Sequence, residues 1–270
     1  MLRSVGHLKL DTMRVLVTFA VAAEFAPWRR RWLFKRRRFH AAGYGFSVCF
    51  SSVVNGTHVD VFLTGIKLRG AEPGLSHLLE ASPDVCISTG LAGGLQESLE
   101  IGQIVAAQSV SELTGSEVGF CNSELVQVSR QCGATIVERF VTSDRVIGSV
   151  SEKKEAARHG QVVEMEGFEV LNKASQKWIP TILVRSISDT ADDSLPLDFN
   201  RTINSRGSIS LRKMAVEVVR SPRQIPAVIE FGNRSRQAAA RLADFLDRYI
   251  PAVSAARPSS GSMEQEVVAR

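Results

Sequence analysis

The sequence predicts an α/β fold, one large domain built on a mixed sheet, and three observations predict it. Residues 14–21, RVLVTFAV, form a continuous β-branched and aromatic run of the kind buried on both faces of a sheet. Asn55-Gly56 lies between two apolar runs, the strongest short-range sign of a hairpin, so the sheet is not purely parallel. Strand-like runs and helix-like segments then alternate as far as Asp189, and the 270 residues, 44% of them hydrophobic, can fill one large core.

In order along the chain, residues 1–12 read as a loose extension. The first strand stops at Ala22-Ala23-Glu24, where a helix begins. Ligands of open α/β sheets gather at the carboxyl ends of strands, so Glu24 stands where a functional acid would. It stands equally where a first-turn acid would complement a helix dipole. Residues 28–38, WRRRWLFKRRR, carry seven basic groups and no acid, which leaves 26 basic against 28 acidic groups elsewhere. The net charge of +5 is therefore one local patch, and the chain as a whole does not read as a nucleic-acid binder. With Trp28, Trp32, Leu33 and Phe34 interleaved, residues 29–38 fit a peripheral contact with an anionic membrane surface or with phosphates; a solvated surface helix or loop is the other reading.

Residues 46–52 and 58–64 supply the hairpin strands, Gly65-Ile66 ends the second, and a helix follows through Leu75, Leu78 and Leu79 to Glu80. Pro83 precedes a strand, 84–88, that runs into 89–95, TGLAGGL. Small residues there let a backbone approach a ligand closely, or shape a tight turn and nothing more. The spacing matches neither a dinucleotide fingerprint nor a P-loop. Residues 101–110 read as a strand, 123–132 as a helix stopped by Gly133, 134–138 as a strand and 142–147 as a return to the sheet. Ser151 is placed to cap a helix through Arg158.

Residues 162–192 are the one stretch where acids sit inside apolar sequence. A strand, a helix and a second strand there would deliver Glu166 and Asp189 to one sheet edge. Buried carboxylates are costly unless paired or used, and two jobs are open to them: holding a polyol and donating a proton. Against this, Glu164 and Glu166 also fit the N-terminal turn of a helix, and Asp189 the start of a turn. A polar loop follows over 193–206. Residues 207–249 are mostly helical, interrupted near Ser221-Pro222 and Pro226, and 251–270 read as a disordered tail, which bounds the domain at 13–250.

Cys49, Cys86, Cys121 and Cys132 form no C-x-x-C pair, so the sequence offers neither a zinc site nor a disulfide framework, and a reducing compartment follows. No secretory signal or spanning segment is read, which makes a cytoplasmic protein the expectation, with membrane association through residues 29–38 left open.

Glu24 after the first strand, residues 89–95, residues 142–147, and Val163-Glu164-Met165-Glu166 followed by Val184-Arg185-Ser186-Ile187-Ser188-Asp189 together resemble the nucleoside phosphorylase and nucleosidase superfamily. The nearest pattern is its nucleosidase branch, typified by methylthioadenosine/S-adenosylhomocysteine nucleosidase. The resemblance covers roughly residues 13–200. It implies a three-layer αβα sandwich around the mixed sheet, a homodimer, a small-molecule nucleoside substrate, and no metal or organic cofactor. The implied reaction breaks an N-glycosidic bond through a ribosyl cation-like transition state. By resemblance Asp189 protonates the purine with Ser188 holding it, Glu24 activates water, and Glu166 binds the ribose hydroxyls and faces the developing charge. Met165 packs on the sugar, Ala92, Gly93, Val146 and Ile147 line the base, and Ile66 touches the 5′ substituent. Burial of Asp189 is the implied means of keeping it an acid.

The phosphorylases of this superfamily carry a Gly-Asp-Pro-x-Arg phosphate loop after the first strand. Here that place reads Phe19-Ala20-Val21-Ala22-Ala23-Glu24, with Ser88 and Leu91 at the second anion position, so water is the expected acceptor. A phosphate-dependent phosphorylase and a non-catalytic nucleotide-binding protein are the alternatives. Lys67 stands where the nucleosidases have glycine, and Leu91 replaces a small or hydroxylated residue. Residues 207–240 resemble the hopanoid-associated phosphorylase-like proteins, which widens the implied substrates from methylthioadenosine and S-adenosylhomocysteine to adenosylhopane.

Overall fold

A computed structural model describes residues 12–41, 45–68, 70–204, 207, 211–220 and 222–258. The expected N-terminal extension lies outside the described residues except for Thr12, as does the tail from 259 on. Strand β1 (Arg14–Phe19) leads into helix α1 (Ala22–Arg29), then β2 (Lys35–Ala41), β3 (Gly45–Val54) and β4 (Thr57–Leu63). A 3₁₀ turn over Ile66–Leu68 precedes α2 (Glu72–Glu80). The middle of the chain gives β5 (Val85–Gly94), β6 (Ile104–Glu112), β7 (Val118–Phe120), α3 (Ser123–Gln131), β8 (Thr135–Thr142), α4 (Val150–Ala156), β9 (Val162–Glu164), α5 (Gly167–Ser175) and β10 (Thr181–Asp189). The last third is helical, with α6 (Phe199–Thr202), α7 (Leu211–Arg220) and α8 (Ile225–Ala256).

The strands form one mixed sheet in the order β10-β6-β8-β9-β5-β1-β4-β3-β2, with β7 beside β6 and β10 also paired to β5. Because β10 pairs with both β5 and β6, that half of the sheet curls closed, and the carboxyl ends of β1, β5 and β10 point to one place. Helices α1, α3 and α8 pack together on one face and α2 and α5 on the other. The core follows these layers. Phe25, Trp28, Leu125, Leu242 and Phe245 fill one side, while Leu75, Leu79, Val170 and Ala174 fill the other. The three-layer αβα architecture is thus the observed one.

The predicted hairpin forms at Asn55-Gly56, where both residues take positive φ (47° and 85°), the backbone that a two-residue turn between twisted strands requires. Several expectations are corrected. The basic run is not a single surface helix or loop: it starts at the end of α1, passes through a turn over residues 30–34, and from Lys35 becomes the edge strand β2, whose exposed Lys35, Arg36, Arg37 and Arg38 discourage an open sheet edge from pairing further. Its aromatics are not a surface feature either. Trp28 is 0% exposed and Phe34 is buried, Trp32 packs against the core, and only Leu33, at 90%, faces solvent. The indole N–H groups of Trp28 and Trp32 donate to Asp247 on α8 at 2.8 and 2.7 Å, and Arg31 pairs with Asp244 and Asp247.

Residues 89–94 are not a loop but the continuation of β5. Residues 143–147 leave the sheet rather than rejoin it: after Ser143, whose N–H still donates to the Glu164 carbonyl of β9, the partners lie in the loop, in α4 and in α6. The cap of α4 is Ser149, not Ser151: its hydroxyl accepts from the Glu152 N–H at 3.2 Å while the Glu152 carboxylate accepts from the Ser149 N–H. Pro226 sits in the first turn of α8, where its missing N–H costs nothing, and the helix continues past Pro251 to Ala256, beyond the expected domain end. Among the described residues no helix is long and apolar enough to cross a membrane.

Candidate active site

A cavity of about 420 Å³ opens at the carboxyl ends of β1, β5 and β10, and every residue singled out from the sequence lines it: Glu24, Ile66, Ala92, Gly93, Val146, Ile147, Met165, Glu166, Ser188 and Asp189. The three carboxylates reach it from three separate elements. Glu24 comes from the first turn of α1, Glu166 from the N-cap of α5 and Asp189 from the last residue of β10.

Glu24 is held by backbone alone. The N–H groups of Ala20 and Val21 donate to its Oε2 at 3.1 and 3.2 Å, and that of Leu91 donates to Oε1 at 3.0 Å. Desolvation raises its pKa, and these three N–H groups work against the rise. Gly90 is the reason β5 can come so close. Its φ is +151°, and a Cβ there would lie 3.1 Å from both carboxylate oxygens of Glu24.

Glu164 and Glu166 divide the two sequence readings between them. Glu164 is the structural acid. It accepts from the N–H groups of Glu166 and Gly167, at 3.1 and 2.7 Å, in the first turn of α5, and it bonds Thr142 Oγ1. It also pairs with Arg185 at 2.5 Å, both side chains being buried. Glu166 turns into the cavity and accepts from the Lys67 N–H at 3.0 Å. Burial first, and the charge of Glu164 second, push its pKa up to about 8. Lys67 takes φ 63° to aim that N–H, which is why glycine suits the position.

Asp189 is gripped on both oxygens. Ser188 Oγ donates to Oδ1 at 2.7 Å, with the Ala92 carbonyl as an alternative acceptor at 3.2 Å, and Lys153 Nζ donates to Oδ2 at 2.5 Å. A buried ammonium thus stands against the buried Asp189 carboxyl. A Cβ on Gly93 would lie 3.1 Å from Oδ2, so the second glycine, like Gly90, makes room for a carboxylate of the chain itself.

The walls are apolar. Ile147 and Ala92 are buried, Met165 is half-buried, and Val146 is fixed by a two-way bond with the Asn200 amide at 2.8 and 3.0 Å. Sequence reasoning missed Leu195, Phe199, Ile203 and Phe231, which extend the apolar lining away from the carboxylates. It also gave no role to Arg185 or Lys153. Arg185 could have been suspected as a charge inside a strand, but Lys153 sits in SEKKEAARHG, which reads as a solvated helix.

Arginines are few at the carboxylates. Arg185 stands behind Ser88, yet its Nη1 donates to the Ser88 carbonyl at 2.7 Å and its Nη2 to Ser88 Oγ and Glu164. Arg145 lines the cavity but pairs with Glu152. Among the described residues no group of three or more His, Cys, Asp or Glu is placed to hold a metal ion.

A family model described as the Phosphorylase superfamily matches residues 14–251. Solved structures share the fold. The 5′-methylthioadenosine/S-adenosylhomocysteine nucleosidase of Neisseria meningitidis, in complex with methylthio-immucillin-A, is 20% identical, with 88% of this chain and 98% of that one covered at a TM-score of 0.65. The corresponding nucleosidase of Colwellia psychrerythraea, in complex with adenine, is 18% identical over 90% and 96% of the two chains, with a TM-score of 0.67. The futalosine hydrolase of Helicobacter pylori is 16% identical over 89% and 98%, with a TM-score of 0.66.

Proposed function

The chain belongs to the phosphorylase superfamily, and from that premise we propose that it is a purine nucleosidase that uses water to release adenine from a 5′-substituted adenosine. One observation carries the choice of water. The three N–H groups of Ala20, Val21 and Leu91, which could cradle an incoming phosphate, are already occupied by Glu24, an anion of the chain itself. Phosphate would meet a carboxylate there, whereas a water molecule would meet a base.

In this reading Glu24 orients and deprotonates the water, and the rise that desolvation gives its pKa makes it a stronger base than an exposed carboxylate. Glu166 holds the ribose hydroxyls and, once ionised beside the substrate, stabilises the positive sugar. Asp189, steadied by Ser188, delivers a proton to the purine as the C–N bond breaks. Met165 packs on the sugar, Ala92, Gly93, Val146 and Ile147 flank the base, and Ile66 meets the 5′ end. The apolar extension through Phe199, Ile203 and Phe231 supports an apolar 5′ substituent, of which methylthio is the smallest member and an adenosyl lipid the largest. Structural relatives in complex with adenine and with methylthio-immucillin-A support adenine as the base. The proposal extends to a homodimer acting in the cytoplasm.

Adenine release from methylthioadenosine, and from a long-chain 5′-alkyl adenosine, with and without phosphate, tests the reading. Turnover without phosphate that Asp189→Asn reduces at least about 100-fold is the expected outcome. Strict dependence on phosphate would make the chain a phosphorylase, and no release under either condition would reject the enzyme reading.

A further inference from the structure

Lys153 is fully buried, at 0% exposure, on the inner face of α4, and it does not line the cavity. An ammonium is costly to bury unless it is paired with good geometry, so its partners matter. Its Nζ donates to Asp189 Oδ2 at 2.5 Å and to the Thr190 carbonyl at 2.6 Å. Both ends of this arrangement are anchored. The first turn of α4 is fixed by the Ser149–Glu152 capping box and by the Glu152–Arg145 pair. Thr190 donates its N–H and its hydroxyl to Asp193 Oδ2, both at 2.8 Å, and Asp193 pairs with Arg234 on α8 at 3.1 Å. The ammonium is thus held behind the one carboxylate assigned to proton delivery, on the side away from the substrate.

We propose that Lys153 is a positioning residue that fixes the Asp189 carboxyl toward the leaving base and shares with it the proton which that base receives. The inference rests on the nucleosidase reading. The 2.5 Å hydrogen bond from Nζ to Oδ2, closed off from solvent, is the path along which a proton passes from the ammonium to the carboxylate. In the step, the Nζ–H bond of Lys153 breaks as the O–H bond of Asp189 forms. That O–H bond then breaks as the N–H bond of the base forms, and the electron pair of the glycosidic C–N bond passes to the base. Lys153 is left neutral beside an ionised Asp189 until the pair regains a proton from solvent, which balances the proton that Glu24 takes from water and returns.

A structural ion pair and a proton-sharing pair differ in their dependence on the leaving group. The test therefore compares methylthioadenosine with p-nitrophenyl 5-methylthio-β-D-ribofuranoside, which keeps the sugar but releases a phenolate that needs no proton. In Lys153→Met, kcat for adenine release should fall about 100-fold with KM within about threefold, while p-nitrophenolate release stays within about threefold of wild type. The ratio of the two rates is read in one sample, so any unfolded fraction cancels. Should the methionine variant not fold, Lys153→Gln is read by the same ratio. Equal losses on both substrates, or undiminished adenine release, overturn the inference. A wild-type protein that releases no adenine is a different result, because it rejects the nucleosidase reading before any variant is made.

Discussion

Glu164 and Glu166 are two residues apart, and their neighbours give them opposite fates. Glu164 has a guanidinium and two N–H groups for company; Glu166 has one N–H and a wall of apolar atoms. Nothing in VVEMEGF distinguishes them, because the distinction comes from Arg185 and Lys67, brought in by β10 and by the turn after β4. The cost of Glu166 should be measurable. Its carboxyl binds its proton more tightly when folded than when unfolded, so the folded state is penalised as pH rises from the ordinary carboxylate range, and the full penalty is reached above about 8. Glu166→Gln removes the penalty. Thermal melts should show the variant more stable than wild type at pH 8.5, with the gain fading toward pH 4.5, while adenine release falls at least about 100-fold. A variant less stable than wild type at pH 8.5 would mean that Glu166 is held by more than the Lys67 N–H. Lys153 was beyond sequence reasoning for the same physical cause: its function depends on a contact with a residue 36 positions away.

At the scale of elements, strand β5 shows what its glycines are for. The sequence left the small residues of TGLAGGL to a ligand or to a tight turn; the register assigns them first to the carboxylates that would meet a ligand. Gly90→Ala therefore acts on Glu24. A methyl group 3.1 Å from both oxygens, on a backbone that disfavours any side chain, should push the carboxylate off the Leu91 N–H. Steady-state kinetics should record a loss in kcat of about 30-fold or more, with the melting temperature lowered by only a few degrees. Unchanged kcat would separate Glu24 from the chemistry. The elements with strong local signals, β1, the β3–β4 hairpin, α3 and the β9–α5–β10 unit, were legible because apolar runs and turn residues dictate them. Strand β2 was not, since an edge strand protected by charge has the composition of a solvated loop.

For the whole molecule, the most distant connection in sequence is among the most informative. Asp247 on α8 accepts from Trp28 and Trp32 and pairs with Arg31, and so ties α1, which carries Glu24, to the C-terminal helix. Asp247→Ala would leave two indole N–H groups without their acceptor. Calorimetry should find a loss of ~2 kcal/mol, or about 5 °C in Tm, and a larger drop would mean that α1 detaches altogether. No local pattern announces a contact spanning more than 200 residues, although an α/β domain on a mixed sheet was foreseeable from the order of strands and helices, and the family resemblance implied the sandwich. The same helix, about 48 Å of continuous rod, touches the cavity through Phe231, Ser235 and Ala239 before it reaches that clasp. Selectivity and reactivity consequently share one strut. If the proposed reading holds, carving the far wall to admit a bulkier sugar substituent re-seats the rod that steadies Glu24, the acid proposed to activate water, so a redesign of specificity has to be compensated at Asp247 if turnover is to survive it.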